Sequence, residues 1–423
     1  MKPTVTPSIS IAMPDLVQPP AAQSQRLLAY CHEGAGVGHL RRTLTICTRL
    51  GEVFPSMSFL IVTGTPFIHL FGPLNRFDWV KLPSIRKSQD GSYAPRNVAS
   101  GSRHMIRWRA AMLRDTVKGF EPTMVLVDKA PLGVCGELAQ SLRWLRKHRP
   151  DTRLVCGLRD IEDEPQTTIT QWAELGVPAA LKKLYDEVWV YGSREVFDVG
   201  REYQLSPMVR EKMHYTGYIS RLPDAPHGTA MRATAANDSK EIVVTVGGGT
   251  DGDQLIRTYL ESAAPQVAAA GFQSTVITGP DMPRRALQEI ELTARQIPGV
   301  QLLEFDADLP QRLSTARLIV TMGGYNTLCE AAACRRPTLV IPRTVPRLEQ
   351  VMRARLWQER ELVDVVDPDS LTAASLAKRV LALATKPPLP PAYRLDMAGL
   401  DRVVERTRSL LQPGSVHAAA LRV

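Results

Sequence analysis

The sequence lacks the signatures of several protein classes. No apolar run approaches the roughly 18 residues that a membrane-spanning helix needs. Residues 1–25 have no compact apolar core flanked by charge, which predicts a flexible extension rather than a signal peptide. The six cysteines include no C-x-x-C pair and have no histidine nearby at metal-ligand spacing. These absences predict a cytoplasmic protein with reduced thiols.

Basic residues outnumber acidic ones, giving a formal net charge of +9, so an anionic partner has to be considered. Zinc-finger spacing and an aromatic-rich RNA-binding signature are both absent, which argues against nucleic acid. The stretch RHMIRWRAAMLR (103–114) predicts a basic helix bearing Trp108. Such a helix suits an anionic membrane surface, here the inner face of the membrane, or a plain solvated face. Its basic residues are Arg103, Arg107, Arg109 and Arg114.

Short apolar runs alternate with helical stretches, as in parallel sheets covered on both faces. Candidate strands are 26–31, 57–64, 123–128, 152–158, 187–192 and 212–217, and a second series lies within 241–246, 274–279, 300–305, 317–324 and 337–343. The polar stretch 221–240 has no apolar period and predicts a linker. We therefore predict an α/β protein with two Rossmann-like domains, 26–220 and 241–390, facing a central cleft. A C-terminal helix and tail (391–423) could pack on either domain.

Two glycine loops stand at predicted strand ends, where doubly wound sheets bind ligands. The first, GAGVGH (34–39), has G-x-G-x-G spacing, and the following strand ends without the acid that a nicotinamide cofactor calls for, so a dehydrogenase is disfavoured. The second, GGGTDG (247–252), lacks the G-K-[ST] of a P-loop, which disfavours ATP hydrolysis. Each loop is either a ligand-binding turn or a tight connection between strand and helix.

A third loop, GGYNT (323–327), precedes an Ala-rich helix. Thr327 and Glu330 fit a capping box. Alternatively, exposed N–H groups beside Asn326 and Thr327 would bind a pyrophosphate, and Glu330 would accept ribose hydroxyls. The D-x-D pattern at 306–308 could hold a metal, but Asp308 precedes a helix and is predicted to cap it instead.

Five segments in the same order resemble the GT-B glycosyltransferases, in particular the branch containing the UDP-N-acetylglucosamine transferase of peptidoglycan synthesis. They are residues 34–42, 216–221, 244–252, 302–343 and 348–366. The resemblance implies transfer of a sugar from a nucleotide diphosphate donor, best a UDP-sugar, to an acceptor hydroxyl. It also implies inversion, no metal and no tightly bound cofactor.

The resemblance implies the residues of the site as well. Phe305 would flank the nucleotide base, Glu330 would bind the ribose, and Arg221 would reach the diphosphate. Glu349 and Gln350 would contact the hydroxyls of the donor sugar. The remaining donor-binding residues are Gly248, Gly249, Thr250, Gly323, Gly324, Tyr325, Asn326 and Thr327. Gly36, Gly38 and Arg41 belong to the acceptor-side loop. His39, Asp160 and Asp128 are candidates for the general base, with His39 first because it titrates near neutrality.

Arg353 replaces an asparagine usual in the family, and GGYNT replaces a GGALT-like loop, which leaves the sugar open. A nucleotide-sugar epimerase on the same fold and a non-catalytic nucleotide-sugar-binding subunit are the alternatives. The acceptor is lipid-linked, an oligosaccharide or a small molecule, and segment 85–101 is a candidate acceptor loop. The oligomeric state is not predicted.

Overall fold

The computed structural model describes residues 25–32, 37–71, 76–87, 93–222, 239–385 and 394–412. The first half forms a seven-stranded parallel sheet in the order β3-β2-β1-β6-β7-β8-β9, beside a small antiparallel hairpin of β4 and β5. Its strands are β1 (Arg26–Cys31), β2 (Ser58–Thr63), β3 (Asp78–Lys81), β4 (Ile85–Lys87), β5 (Tyr93–Pro95), β6 (Met124–Asp128), β7 (Arg153–Arg159), β8 (Glu187–Tyr191) and β9 (Met213–Tyr215).

The second half forms a six-stranded parallel sheet in the order β12-β11-β10-β13-β14-β15. Its strands are β10 (Glu241–Thr245), β11 (Gln273–Ile277), β12 (Val300–Leu303), β13 (Leu318–Thr321), β14 (Thr338–Val340) and β15 (Asp364–Val365). All eleven predicted strands are therefore confirmed. The sequence analysis missed β3, β4, β5 and β15, which have two to four residues each and contain no continuous buried run.

Helices cover both sheets, because the strands at their centres are apolar on both faces. In the first half they are α1 (Gly38–Val53), α2 (Ser102–Phe120), α3 (Ala139–His148), α4 (Pro165–Glu174), α5 (Val177–Leu184), α6 (Val199–Glu202) and α7 (Pro207–Arg210). In the second half they are α8 (Asp253–Thr258), α9 (Ala264–Ala269), α10 (Arg284–Ala294), α11 (Leu309–Thr315), α12 (Tyr325–Cys334), α13 (Glu349–Gln358), α14 (Ala373–Thr385) and α15 (Gly399–Leu411).

Shorter helical turns complete the architecture. A π-helical turn, Tyr259–Ala263, joins α8 to α9, and 3₁₀ turns occupy Ile68–Phe71, Val134–Gly136 and Pro368–Ser370. Within the described ranges, no helix combines the length and the apolar character needed to cross a bilayer.

The last helix, α15, packs on the first domain. Val403 and Val404 are buried in the core cluster that also contains residues of β1 and α1. Arg153 Nε donates to the carbonyl of Leu410 at 3.1 Å, and Arg406 pairs with Glu187 on β8. The structure thus answers the question that the sequence left open. Most of the predicted linker and the last part of the tail lie outside the described residues, so the exact domain boundaries stay predictions.

The predicted basic face of α2 needs one correction. Arg109 is only 1% exposed, and it donates to Glu137 at 2.7 Å and 2.8 Å, so it does not belong to the solvated face. Arg103, Arg107 and Trp108 are exposed as predicted. Helix α2 is amphipathic, and Arg109 lies on its inner side beside buried Met105 and Leu113 at helical spacing.

Candidate functional site

A cleft lies between the carboxyl ends of the strands of the two sheets, as predicted. Both domains contribute to its lining. From the predicted site it brings together Gly38, His39, Arg41, Gly248, Gly249, Thr250, Gly324, Tyr325, Asn326, Thr327, Glu349 and Gln350. Gly36 lies outside the described residues.

His39 stands in the first turn of α1 and is held by Asp128, the last residue of β6. Its Nδ1 lies 2.6 Å from Asp128 Oδ2. Arg42 Nη2, which only donates, also lies 3.0 Å from Nδ1, but it is bound to Asp128 Oδ1 at 2.5 Å. We assign the proton of the neutral ring to Nδ1, as the donor in the shorter contact with the carboxylate, which leaves Nε2 as the acceptor. Burial lowers the pKa of His39 to about 4, although Asp128 acts in the opposite direction. The imidazole is therefore neutral at pH 7, and its Nε2 can accept a proton. The expectation that His39 titrates near neutrality is wrong, because burial lowers its pKa.

Asp128 is also bound by Arg42, which sequence analysis missed. Arg42 donates from Nε at 3.0 Å and from Nη2 at 2.5 Å to Asp128 Oδ1. Although burial alone would raise the pKa of Asp128, Arg42 and His39 keep it far below its usual value. Asp128 is therefore a fixed anion that orients His39. The second arginine of the GHLRR motif was the available signal, since it lies one helical turn from His39.

Asp160, the remaining candidate base, forms a buried ion pair across the cleft. Arg353 on α13 donates from Nε to Oδ2 at 2.8 Å and from Nη2 to Oδ1 at 2.7 Å. Arg353 is 0% exposed, and its Nη1 also donates to the carbonyl of Gly323 at 3.2 Å. Asp160 thus joins the two domains in this structure, with both oxygens occupied. Arg353 is the departure from the family pattern noted in the sequence.

The predicted capping box at Thr327 is wrong. Helix α12 begins at Tyr325, and its N-cap is Gly324 in extended conformation, three residues before Thr327, with no side-chain cap. Gly323 has φ +88°, a backbone region that favours glycine, and its absent Cβ leaves room for Val340. Glu330 therefore lies in the second turn, where it cannot cap the helix.

Glu330 instead meets Arg221, the predicted diphosphate ligand from the segment between the two domains. Arg221 Nε donates to Glu330 Oε1 at 2.8 Å. The other carboxylate oxygen, Oε2, is buried without a partner, and so is Arg221 Nη2. One unpaired acceptor and one unpaired donor side by side suit a ligand that carries hydroxyls or phosphate oxygens.

The N-termini of α1 and α12 meet across the cleft. Asn326 Nδ2 donates to the carbonyl of Gly38 at 2.8 Å, so Asn326 joins the two domains rather than pointing into open solvent. Tyr325 is buried, and its hydroxyl accepts a hydrogen bond from the backbone N–H of Ile219 at 3.1 Å. Two helix N-termini in contact concentrate positive potential at one place.

Glu349 and Gln350 begin α13 and lie beside Arg343, a residue that sequence analysis missed. Arg343 Nη2 donates to Glu349 Oε1 at 2.7 Å, and Arg343 N donates to Gln350 Oε1 at 3.3 Å. Glu349 Oε2 and Arg343 Nε are buried without partners. The basic residue at the end of the PTLVIPR strand run was the available signal.

The second glycine loop lines the cleft, whereas Phe305 lies outside the cleft lining. Gly249 has φ +94°, and a Cβ there would lie 2.4 Å from the carbonyl oxygen of Thr278, so the loop requires glycine. Phe305 is half-buried outside the cleft lining and packs edge-on against Phe71 with ring centroids 6.0 Å apart. Phe305 thus meets a residue of the first domain.

The D-x-D pair serves local structure. Asp306 Oδ1 accepts from the backbone N–H of Asp308 at 2.8 Å, and Oδ2 accepts from Arg312 at 2.6 Å. Asp308 occupies the N-cap position of α11, but its side chain makes no capping hydrogen bond. The predicted cap by the Asp308 side chain is therefore wrong.

A buried charged cluster adjoins His39 on the first domain. Glu162 Oε2 lies 3.3 Å from Lys129 Nζ and 3.4 Å from Arg159 Nη2. Burial and Arg159 lower the pKa of Lys129 to about 7, against the opposing effect of Glu162. These residues belong to the segments LVDKAP (126–131) and CGLRDIEDEP (156–165).

Comparison with known proteins agrees with this geometry. Residues 242–396 match the family model described as the glycosyltransferase family 28 C-terminal domain. The UDP-N-acetylglucosamine–N-acetylmuramyl-(pentapeptide) pyrophosphoryl-undecaprenol N-acetylglucosamine transferase of Rhodopseudomonas palustris is 30% identical over 210 residues, which cover 47% of this chain and 54% of that protein. The chain spans 26%, 44% and 54% of the length of three curated relatives of this name.

Solved structures are similar over almost the whole chain. MurG of Acinetobacter baumannii matches with a TM-score of 0.55 and 12% identity, over 91% of this chain and 99% of that chain. UDP-GlcNAc 2-epimerase of Methanocaldococcus jannaschii matches with a TM-score of 0.56 and 10% identity, over 91% and 99%. The chain therefore has the GT-B fold of two Rossmann-like domains. In sequence it resembles the peptidoglycan N-acetylglucosamine transferases, and its residues 242–396 match the C-terminal domain of glycosyltransferase family 28.

Proposed function

We propose that this protein is a glycosyltransferase that moves a sugar from a nucleotide diphosphate donor, best a UDP-sugar, to an acceptor hydroxyl. The observation that carries the proposal is the position of His39 in the same cleft as the start of α12 and the pair Glu349 and Gln350. A base oriented by a carboxylate and a helix N-terminus suited to a diphosphate are the two groups that glycosyl transfer requires.

The donor would lie along the second domain. The N-terminus of α12 would hold the diphosphate, and the unpaired Glu330 Oε2 would accept ribose hydroxyls. Glu349 Oε2 would accept a hydroxyl of the sugar. Phe305 would flank the base, while the second glycine loop would close the site from the other side.

His39 would act as the general base. Its Nε2 takes the proton of the acceptor hydroxyl as that oxygen bonds to the anomeric carbon from the face opposite the diphosphate. The bond from the anomeric carbon to the diphosphate oxygen breaks, and the product is inverted. The negative charge that develops on the leaving diphosphate meets the N-terminus of α12 and Arg221, which would stabilise it without a metal.

Calorimetric titration with UDP tests the donor site. The wild type should bind UDP with a micromolar dissociation constant, and Glu330→Ala should weaken binding about 10-fold or more because a buried acceptor for the ribose is lost. Glu211→Ala, an exposed carboxylate of the first domain, is the matched control. Melting of both variants checks that Arg221 without its partner has not loosened the fold. Parallel titrations with dTDP, GDP and NAD define the nucleotide, and a failure of all four to bind would refute the proposal.

An epimerase on the same fold is the second candidate, because the similarity to UDP-GlcNAc 2-epimerase is as close in fold as that to MurG. Incubation with UDP-N-acetylglucosamine alone separates the two functions. An epimerase forms an isomer without an acceptor, whereas a transferase leaves the donor sugar unchanged apart from slow hydrolysis. Donor binding without turnover until a second protein is added would favour a non-catalytic subunit.

We further propose a lipid-linked acceptor reached at an anionic membrane surface. On α2, His104, Arg107 and Trp108 line a surface hollow, and Trp108 is 44% exposed. Arg103 is exposed one turn before Arg107, and together these residues form a basic patch. Exposed Trp beside basic residues suits the interface of an anionic bilayer. The curated relatives carry pyrophosphoryl-undecaprenol in their names, which also supports a lipid.

Sedimentation with vesicles tests this patch. The protein should bind vesicles containing anionic lipid at low salt, and Arg103→Gln/Arg107→Gln should weaken binding about 10-fold or more, since each basic residue near the surface contributes about 1 kcal/mol. Arg143→Gln/Lys147→Gln on the exposed side of α3 is the control of equal charge. Binding that is equal for both double variants, or absent in the wild type, would leave an oligosaccharide or a small molecule as the acceptor.

A further inference from the structure

Four arginines are buried in the part of the chain that the structure describes, and three of them face a carboxylate. Arg42 is bound to Asp128, Arg109 to Glu137 and Arg353 to Asp160, each through two nitrogens. The fourth, Arg41, is 8% exposed. Its Nε is buried without a partner, and the neighbouring carboxylate, Glu330, is paired with Arg221 instead. A buried cation without an anion is costly, so its presence calls for an explanation.

Arg41 points away from the face of α1 that carries His39, the residue on the acceptor side. Successive residues of an α-helix are about 100° apart, so Arg41 lies about 200° from His39 and about 100° from Arg42, the two residues that contact Asp128. Arg41 lines the cleft and also a second cavity, which it shares with Arg221. Burial lowers the pKa of Arg41 to about 10, with Glu330 and then Arg221 as its strongest charged neighbours.

Positive charge outweighs negative charge around Arg41. Arg41 and Arg221 together face Glu330, which has bonded only Arg221 and has one oxygen free. The N-termini of α1 and α12 meet at the same place, through the hydrogen bond from Asn326 to Gly38. Asp306 also acts on Arg41 but is itself paired with Arg312. Two arginines, the Glu330 carboxylate and two positive helix ends therefore leave a net positive site between the domains.

We propose that Arg41 is a ligand of the donor diphosphate, supplied by the first domain across the cleft. This inference rests on the proposed function and changes the predicted place of Arg41, which the sequence analysis assigned to the acceptor-side loop. Arg221 and the start of α12 hold the diphosphate from one side and Arg41 from the other. Because Arg41 belongs to the first domain, bound donor ties the two domains together, and the diphosphate neutralises the cation that the free protein leaves unpaired.

The test compares UDP with uridine, which has the same base and ribose but no phosphate. Calorimetry is performed on the wild type, Arg41→Met, Arg41→Lys and the control Arg143→Met, which removes an exposed arginine from α3. Arg41→Met should weaken UDP binding about 10- to 100-fold and change uridine binding less than about twofold, because only charge-assisted hydrogen bonds to phosphate are lost. The UDP affinity of Arg41→Lys should lie between those of the wild type and Arg41→Met, since a lysine keeps the charge but not the planar fork of the guanidinium.

Thermal melting without ligand separates this function from a structural one. Arg41→Met should melt at or above the wild-type temperature, because it removes an unpaired buried charge, whereas loss of a structural arginine would lower it. UDP binding to Arg41→Met equal to that of the wild type, or an equal loss for UDP and uridine, overturns the inference and leaves the proposed function intact. Absence of UDP binding to the wild type overturns both.

Discussion

His39→Gln should lower kcat about 10²- to 10⁴-fold, the usual contribution of a general base, and leave the affinity for UDP unchanged. Glutamine keeps much of the size of the ring but has no nitrogen that can accept a proton. The measurement is steady-state transfer with saturating donor, together with calorimetric titration of UDP. His69→Gln, an exposed histidine of the first domain, is the matched control.

The pH dependence of the wild type tests the same residue independently. Neutral His39 is the active form, so kcat/KM should fall as the pH drops through the pKa of His39. Since that pKa is lowered to about 4, the acid limb should lie near pH 4 to 5 rather than near the ordinary value of about 6.5. An acid limb near 6.5 would show that burial does not lower the pKa of His39. A variant His39→Gln with wild-type kcat would exclude His39 as the base.

Arg353→Met should lower the free energy of unfolding by about 3–5 kcal/mol, because it leaves the Asp160 carboxylate buried without a counter-charge. The pair is fully enclosed, with the Arg353 side chain 0% and the Asp160 side chain 2% exposed. Urea denaturation followed by fluorescence measures the loss. Arg355→Met, on the exposed side of the same helix, should change stability by less than about 0.5 kcal/mol.

A double variant makes the explanation specific. Adding Asp160→Asn to Arg353→Met should recover part of the lost stability, because asparagine removes the stranded charge. If the double variant is less stable than Arg353→Met, the cost comes from lost packing rather than from the unpaired carboxylate. A loss below about 1 kcal/mol in Arg353→Met would show that this pair does not hold the domains together.

Most strands were predictable from the sequence because they are continuous apolar runs, which indicate burial on both faces of a sheet. In runs such as those of β1 and β6, side chains on both faces of the strand must be buried. This burial is typical of a parallel sheet with helices on both sides. The short strands β3 and β15 carry no such information, since they pair at sheet edges with partly exposed residues. The fate of α15 was also open, because its apolar face would suit either domain.

The partners within the site were less predictable. Thr327 and Glu330 have capping-box spacing, but Gly324 provides an extended N-cap three residues earlier than that pattern requires. The contact of Arg353 with Asp160 joins residues 193 positions apart. Sequence spacing identifies residues that reach the same cleft, whereas the pairing of their charges depends on how the two domains face each other.

The return of α15 to the first domain has a consequence for how the chain folds during synthesis. Val403, Val404 and Leu410 pack with residues of β1 and α1, in a domain whose last strand ends at Tyr215. At about 5–20 residues per second, a ribosome needs roughly 10–40 s to pass from that strand to α15. During this interval the face of α1 that α15 later covers stays open to water and to other chains. The first domain to be made is therefore the last to be finished, and a nascent chain that pauses in its second half is the form most exposed to aggregation.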